Sequence, residues 1–304
     1  MKNEKRKCNK NCLNKENSGN CLVLGSDYLP VQCVGPWAED KYFFLERYLN
    51  ATCQARKKFS VNNNSVFIDL FAGPGKCIIF NEEKEIDSGG IRALLRDEAP
   101  FSQLYYFDIN KQNTEALKIR VKNNTKCIVE NGDSNKLIKN LIKKLLEKNQ
   151  KYHFAFIDPF GPSGLKFETL KDLSRLNRID MLIHFPIGAI KRNYKQSTKN
   201  DSKILDEFLG TEEWRKKILK VSESKIFELF LDIFKNQLEQ IGFKDEGLRI
   251  IDNNDFSQNL PTVTIKNSKD VGLYALILAS KHPLAQRIWN DIIKIDSHGQ
   301  RQLF

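Results

Sequence analysis

Residues 66–75, Val-Phe-Ile-Asp-Leu-Phe-Ala-Gly-Pro-Gly, decide how the rest of the chain is read. The run VFIDLF is apolar and of strand length. Gly73-Pro74-Gly75 then turns the chain and lets a ligand approach the backbone closely. Working outward, the same pattern recurs. QLYYFDIN (103–110), KCIVENGD (126–133), HFAFIDPF (153–160) and DMLIHFP (180–186) are further strand-like runs. Between them, residues 89–99, 113–122, 134–149 and 165–176 read as helices. In the third of these, Leu137, Ile138, Leu141, Ile142, Leu145 and Leu146 share a face that excludes Lys136, Lys139 and Lys143. Such alternation predicts a parallel sheet covered by helices on both sides.

Upstream, Pro36 suits a first helical turn. Trp37, Phe44, Leu45, Tyr48 and Leu49 continue at helical spacing through about Arg56. Downstream, residues 188–220 read as a basic helical insertion after the fifth strand, and Ile226–Ile241 as a long helix. Residues 261–266 and 271–280 read as an antiparallel hairpin. The expected fold is Rossmann-like α/β with a mostly parallel seven-stranded sheet. Residues 1–35 read as a polar, Cys-containing extension with order beginning at Pro36, and residues 36–304 as one domain.

The chain has 304 residues, 40% hydrophobic and 29% charged, enough for a sizeable core. No apolar run approaches the roughly 18 residues of a membrane span, and the basic start has no apolar stretch behind it to make a secretory signal. The reading is a cytoplasmic protein without a membrane partner. The net charge of +11 is uneven, at +3 over residues 1–36, +5 over 134–151 and +4 over 187–220. A basic surface around a neutral body suits a polyanion such as nucleic acid, and a lysine-rich coding bias gives the same count. Of seven cysteines, Cys8, Cys12, Cys21 and Cys33 crowd the start. Four thiolates in that order can hold zinc or an iron–sulfur cluster, although paired C-x2-C knuckles are lacking; a Cys-containing leader is the alternative.

In an open α/β sheet, ligands bind beyond the carboxyl ends of the strands. Four successive strands end in an acid there: Asp69, Asp108, Asp133 (after Gly132) and Asp158. Asp108 is placed to accept from both hydroxyls of a ribose and Asp133 from an exocyclic amine. The turn is neither G-x-G-x-x-G nor a phosphate loop, and proline removes an amide donor from it. A dinucleotide and ATP are therefore disfavoured against S-adenosylmethionine. Asp158 is the strand-end carboxylate expected at the reacting centre. Arg192 suits a phosphate or carboxylate clamp. His184 reads as a core histidine, Cys77 as packing, and Phe160 and Phe185 as core or pocket wall.

FIDLFAGPG, YYFDIN, ENGD and FIDPFG, in this order, resemble the cofactor motifs of class I S-adenosylmethionine-dependent methyltransferases. With PWAEDKYFFLERYL, MLIHFPIGAIKRN, FLGTEEW and LYALILASKHPLAQRIW, the set over roughly residues 36–290 resembles the bacterial three-Cys-motif partner family. That resemblance implies a class I methyltransferase fold, S-adenosylmethionine as cofactor, and a partner protein carrying a three-cysteine motif. It leaves open whether the chain turns over alone or is a catalytically silent cofactor-binding subunit of that partner. By resemblance, Asp69 and the Ala72–Gly75 backbone line the methionine end and Asp108 with Ile109 meets the ribose. Gly132-Asp133 meets the adenine, and Asp158 faces the reacting centre. Asp158-Pro159-Phe160 is similar to the [DN]-P-P-[FY] tetrapeptide of amino-methylating nucleic-acid enzymes, where the aromatic stacks on the target base. Here one proline is followed by Gly161, which departs from that pattern.

Overall fold

A computed structural model describes residues 21–80, 82, 84–96, 98–148, 151–199, 202–243, 260–266 and 271–296. Its main sheet has seven strands: β3 (Ser65–Asp69), β6 (Gln103–Asp108), β7 (Cys127–Asn131), β8 (Tyr152–Ile157), β9 (Ile179–Phe185), β10 (Thr262–Lys266) and β11 (Gly272–Ser280). They lie in the order β10-β11-β9-β8-β3-β6-β7. β3, β6, β7, β8 and β9 pair in parallel, whereas β11 is antiparallel to both β9 and β10. Only β11 therefore runs against the rest. Numbered within the sheet, this is 3-2-1-4-5-7-6 with the seventh strand reversed, the Rossmann-like class I methyltransferase arrangement. The order reverses between β3 and β8, the switch point beside which such sheets bind ligands.

Period-two alternation sorts the strand side chains into two cores. Val66, Ile68 and Leu70 face one side. There α5 (Ser134–Glu147), α6 (Phe167–Leu173), the insertion helices α7 (Ile187–Lys199), α8 (Ile204–Leu209) and α9 (Trp214–Lys217), and the long helix α10 (Ile226–Gln240) pack. Phe67 faces the other side with α1 (Ala38–Ala51), α3 (Gly89–Leu94), α4 (Lys111–Arg120) and α11 (Pro283–Ile293). α2 (Cys53–Ser60) follows α1 directly. The sequence reading assigns no helix at α11. Its signals are nevertheless present: His282 caps the Leu284 amide, Pro283 opens the helix, and Ala285, Trp289, Ile292 and Ile293 are buried on one stripe. None of the described helices is long and apolar enough to cross a membrane.

The N-terminal reading is corrected. Order does not begin at Pro36, because β1 (Leu22–Leu24) and β2 (Pro30–Val34) form an antiparallel hairpin before it. This hairpin belongs to a second, four-stranded sheet of order β1-β2-β4-β5 with β4 (Lys76–Ile79) and β5 (Lys84–Asp87), which follow the glycine turn. β2 runs parallel to β4, with Gln32 beside Cys77. Residues 21–34, CLVLGSDYLPVQCV, are apolar enough for strands; they escape the sequence reading because the two runs are only three and five residues long and the partner that completes the sheet lies some forty residues downstream.

Candidate active site

The strand ends are tied to one another by a continuous series of hydrogen bonds. After β3, the Ala72 amide donates to the Phe107 carbonyl (2.9 Å) and the Gly73 amide to Asp108 Oδ2 (2.9 Å). After β6, the Asp108 carbonyl accepts from the Gly132 amide (3.0 Å) and from Asn131 Nδ2 (3.0 Å). Asp133 Oδ1 caps α5 through the Asn135 amide (3.0 Å). Asn135 Nδ2 then donates to the Gly164 carbonyl beyond β8 (2.9 Å). The loops bearing Asp69, Gly73, Asp108, Asp133 and Asp158 are thus joined along one rim of the sheet.

Gly73 and Gly75 have φ of +60° and +90°, conformations open to glycine and costly for other residues. A Cβ on Gly75 would also stand 2.8 Å from Leu117 Cδ1. Asp69 lies fully buried, accepting from the Phe71 amide (3.1 Å), and a Cβ on Gly90 in α3 would stand 3.0 Å from its Oδ2. Burial, aided by Asp158 and Asp108, pushes the Asp69 carboxyl up to about 8. Burial also raises the Asp108 carboxyl. Asp108 already accepts three bonds, from Gly73, from the Asn110 amide (2.8 Å) and from Asn113 Nδ2 (3.0 Å). With about four lone-pair sites on a carboxylate, one remains. The expected contact to both ribose hydroxyls is thereby reduced to one while the turn is held. Ile109 next to it is 76% exposed, an apolar side chain free to meet a planar ring.

Asp158 sits between two groups that the sequence reading does not bring to it. Lys41, from α1, pairs with its Oδ2. His184 of β9 places Nδ1 3.5 Å from its Oδ1 and packs at a tilt against Tyr274 with ring centroids 4.5 Å apart. Burial lowers the His184 imidazole to about 4, so it is neutral near pH 7. Its ring is hydrogen-bonded to the Pro159 backbone, and the buried Nδ1 makes no hydrogen bond. His184 is therefore a member of the site rather than a core histidine. Phe160, two residues beyond Asp158, is 56% exposed, so of the two readings, core or pocket wall, the core is excluded; Phe185 is fully buried in the core. Cys77 is buried 3.5 Å from the Tyr42 hydroxyl, a packed thiol whose pKa burial raises. Arg192, on the exposed side of α7, brings Nη1 to 3.4 Å from where a Gly188 side chain would begin. Ala189 of the same turn abuts Gly161, so Arg192 stands close to the Phe160 loop.

No group of three or more metal-ligating side chains occurs among the described residues. Cys21 and Cys33 lie opposite each other across the β1–β2 hairpin, with the Cys33 amide on the Cys21 carbonyl at 2.8 Å, and neither is in a disulfide. Cys8 and Cys12, the other half of the expected zinc or iron–sulfur set, lie outside the described residues.

No family model matches this chain, and no curated protein matches it. Among solved structures it is similar to Trm1 from Pyrococcus horikoshii in complex with S-adenosyl-L-methionine, at 13% identity and a TM-score of 0.40 over 87% of this chain and 62% of that one. It is similar to M. jannaschii TYW2 in complex with AdoMet, at 12% identity and a TM-score of 0.34 over 86% and 85%. It is also similar to an O-methyltransferase from Bacillus cereus in complex with SAH, at 10% identity and a TM-score of 0.36 over 80% and 97%. Likenesses this distant decide neither substrate nor chemistry.

Proposed function

We propose that this chain is an S-adenosylmethionine-dependent methyltransferase acting on a nucleic-acid substrate. The observation that carries the reading is Asp158 at the switch point, held between Lys41 and neutral His184, with an exposed aromatic two residues on. The rim fits the cofactor. Asp69, buried among acids, gains from a cationic amino-acid end beside it, and the single free site on Asp108 with exposed Ile109 suits a ribose and a purine. Asp133 has one carboxylate oxygen beyond the one that caps α5.

A bound S-adenosylmethionine supplies an electrophilic methyl group on sulfur. The chain's own part is to position an acceptor amine or hydroxyl in line with that methyl and to take its proton. As the new bond to carbon forms and the carbon–sulfur bond breaks, the acceptor's proton passes to Asp158. Lys41 holds the carboxylate in place. His184 Nδ1 lies 3.5 Å from Asp158 Oδ1, a neutral imidazole beside the carboxylate that takes the proton. Phe160 offers its face for base stacking. Lys136, Lys139 and Lys143 of α5, with Lys191 and Arg192 of α7, are exposed cations suited to phosphates.

The test is transfer of labelled methyl from S-adenosylmethionine to bulk cellular RNA and DNA. Asp158→Ala is expected to abolish transfer while leaving S-adenosylhomocysteine affinity within about twofold. A variant that still methylates, or a wild type that labels proteins alone, removes the proposal.

A further inference from the structure

The glycine turn has few amides to spare. The Phe71 amide is held by Asp69, the Ala72 amide by the Phe107 carbonyl and the Gly73 amide by Asp108, and Pro74 has none. That leaves the Gly75 amide in the turn, so a carboxylate at the amino-acid end of the cofactor needs further donors from elsewhere. The N-terminal hairpin supplies one. Gln32 of β2 places Oε1 3.1 Å from where a side chain on Gly73 would begin, so its amide lies directly over the turn. Gly73 leaves that space open.

The hairpin is fixed there by one residue. Arg120, at the end of α4 and with its side chain 7% exposed, donates to the Pro74 carbonyl of the turn (2.5 Å) and to the Pro30 carbonyl of the hairpin (2.8 Å). It also pairs with both oxygens of Asp27 at 2.9 and 2.8 Å. Lysines and acids add a looser ring, with Lys76 near Asp27 and Glu85. Hairpin, turn and helix thus move together, and Gln32 is carried at a fixed height above Gly73.

We infer that Gln32 is a cofactor-binding residue, its side-chain amide donating to the carboxylate of the methionyl end, so that the hairpin forms one wall of the cofactor site. This rests on the methyltransferase reading above. A primary amide suits a zwitterion, because it donates to the carboxylate through Nε2 and accepts from the ammonium through Oε1.

Two ligands separate the inference from a structural role. S-adenosylhomocysteine carries the amino-acid end; 5′-methylthioadenosine lacks it and retains the adenosine. Gln32→Ala is expected to weaken S-adenosylhomocysteine about tenfold in isothermal titration, the loss of one hydrogen bond to a charged group, and to leave 5′-methylthioadenosine within twofold. Gln32→Glu, which sets a carboxylate against a carboxylate, is expected to weaken the first ligand further and again spare the second. Equal weakening of both ligands would make Gln32 a structural residue of the hairpin and overturn the inference, as would unchanged S-adenosylhomocysteine affinity in both variants. A wild type that binds neither ligand removes the site reading itself, and the inference with it.

Discussion

Replacing Arg120 with alanine tests whether the N-terminal hairpin is an integral wall of the fold. The guanidinium is nearly buried, while Asp27 retains about a third of its exposure, with relative values of 7% and 30%. Each of its two short carbonyl contacts is worth about 1.5 kcal/mol as a hydrogen bond to a charged donor. The bidentate pair with the partly exposed Asp27 adds about 1 kcal/mol. Arg120→Ala is thus expected to cost about 4 kcal/mol in urea unfolding at pH 7, large against a typical domain stability of about 5–15 kcal/mol. Part of the loss depends on pH. The side-chain hydrogen bond from Arg120 holds the Asp27 carboxyl below its ordinary value of 3.8. A depressed folded value stabilises the protein above the unfolded value and ceases to do so as pH falls through the folded one. The cost of the substitution should therefore narrow below about pH 3.8 by the share owed to Asp27. Locally, the Cys33 amide, bonded to the Cys21 carbonyl, should lose hydrogen-exchange protection before the main sheet does. A loss under about 1 kcal/mol with unchanged exchange at Cys33 would refute the reasoning.

Three further outcomes are expected. Gly75→Ala places a Cβ 2.8 Å from Leu117 at φ +90°, so it should cost about 2 kcal/mol by strain and crowding and weaken cofactor binding, read by thermal melts with and without S-adenosylhomocysteine. Asp69, pushed up to about 8, is mostly protonated at pH 7; a ligand cation beside it should expel that proton, seen as proton release when titrations are repeated in buffers of different ionisation enthalpy, and absent in Asp69→Asn. His153, lowered to about 4 by burial and bonded at the Arg178 carbonyl, binds fewer protons folded than unfolded, so it makes stability rise with pH between about 4 and 6.5. His153→Asn should remove up to one proton from that slope in urea titrations at several pH values; an unchanged slope would exclude the residue.

Much of the fold is legible locally because its signals are local. Each parallel strand is a short apolar run, and alternation with amphipathic helices selects the layered architecture without long-range information. The acids at the strand ends are readable for the same reason, since position in a strand fixes which end a residue occupies. What escapes are contacts between distant segments. Lys41 looks like one more surface lysine on α1 until packing sets it on Asp158, 117 residues away. His184 lies in an apolar strand, and only the register of β8 beside β9 brings it to the same carboxylate. Residues 30–34 depend on β4 to complete their pairing, and the runs at 22–24 and 30–34 are so short that they pass as part of the extension. Phe160 is apolar yet points outward, a placement that residue type alone does not disclose.

The most direct measurement is isothermal titration of the full chain with S-adenosylhomocysteine, paired with the Asp108→Ala variant. A rim that cradles the adenosyl group gives saturable binding, one ligand per chain, which the variant weakens at least tenfold; no heat at millimolar ligand, or binding indifferent to Asp108, would contradict it.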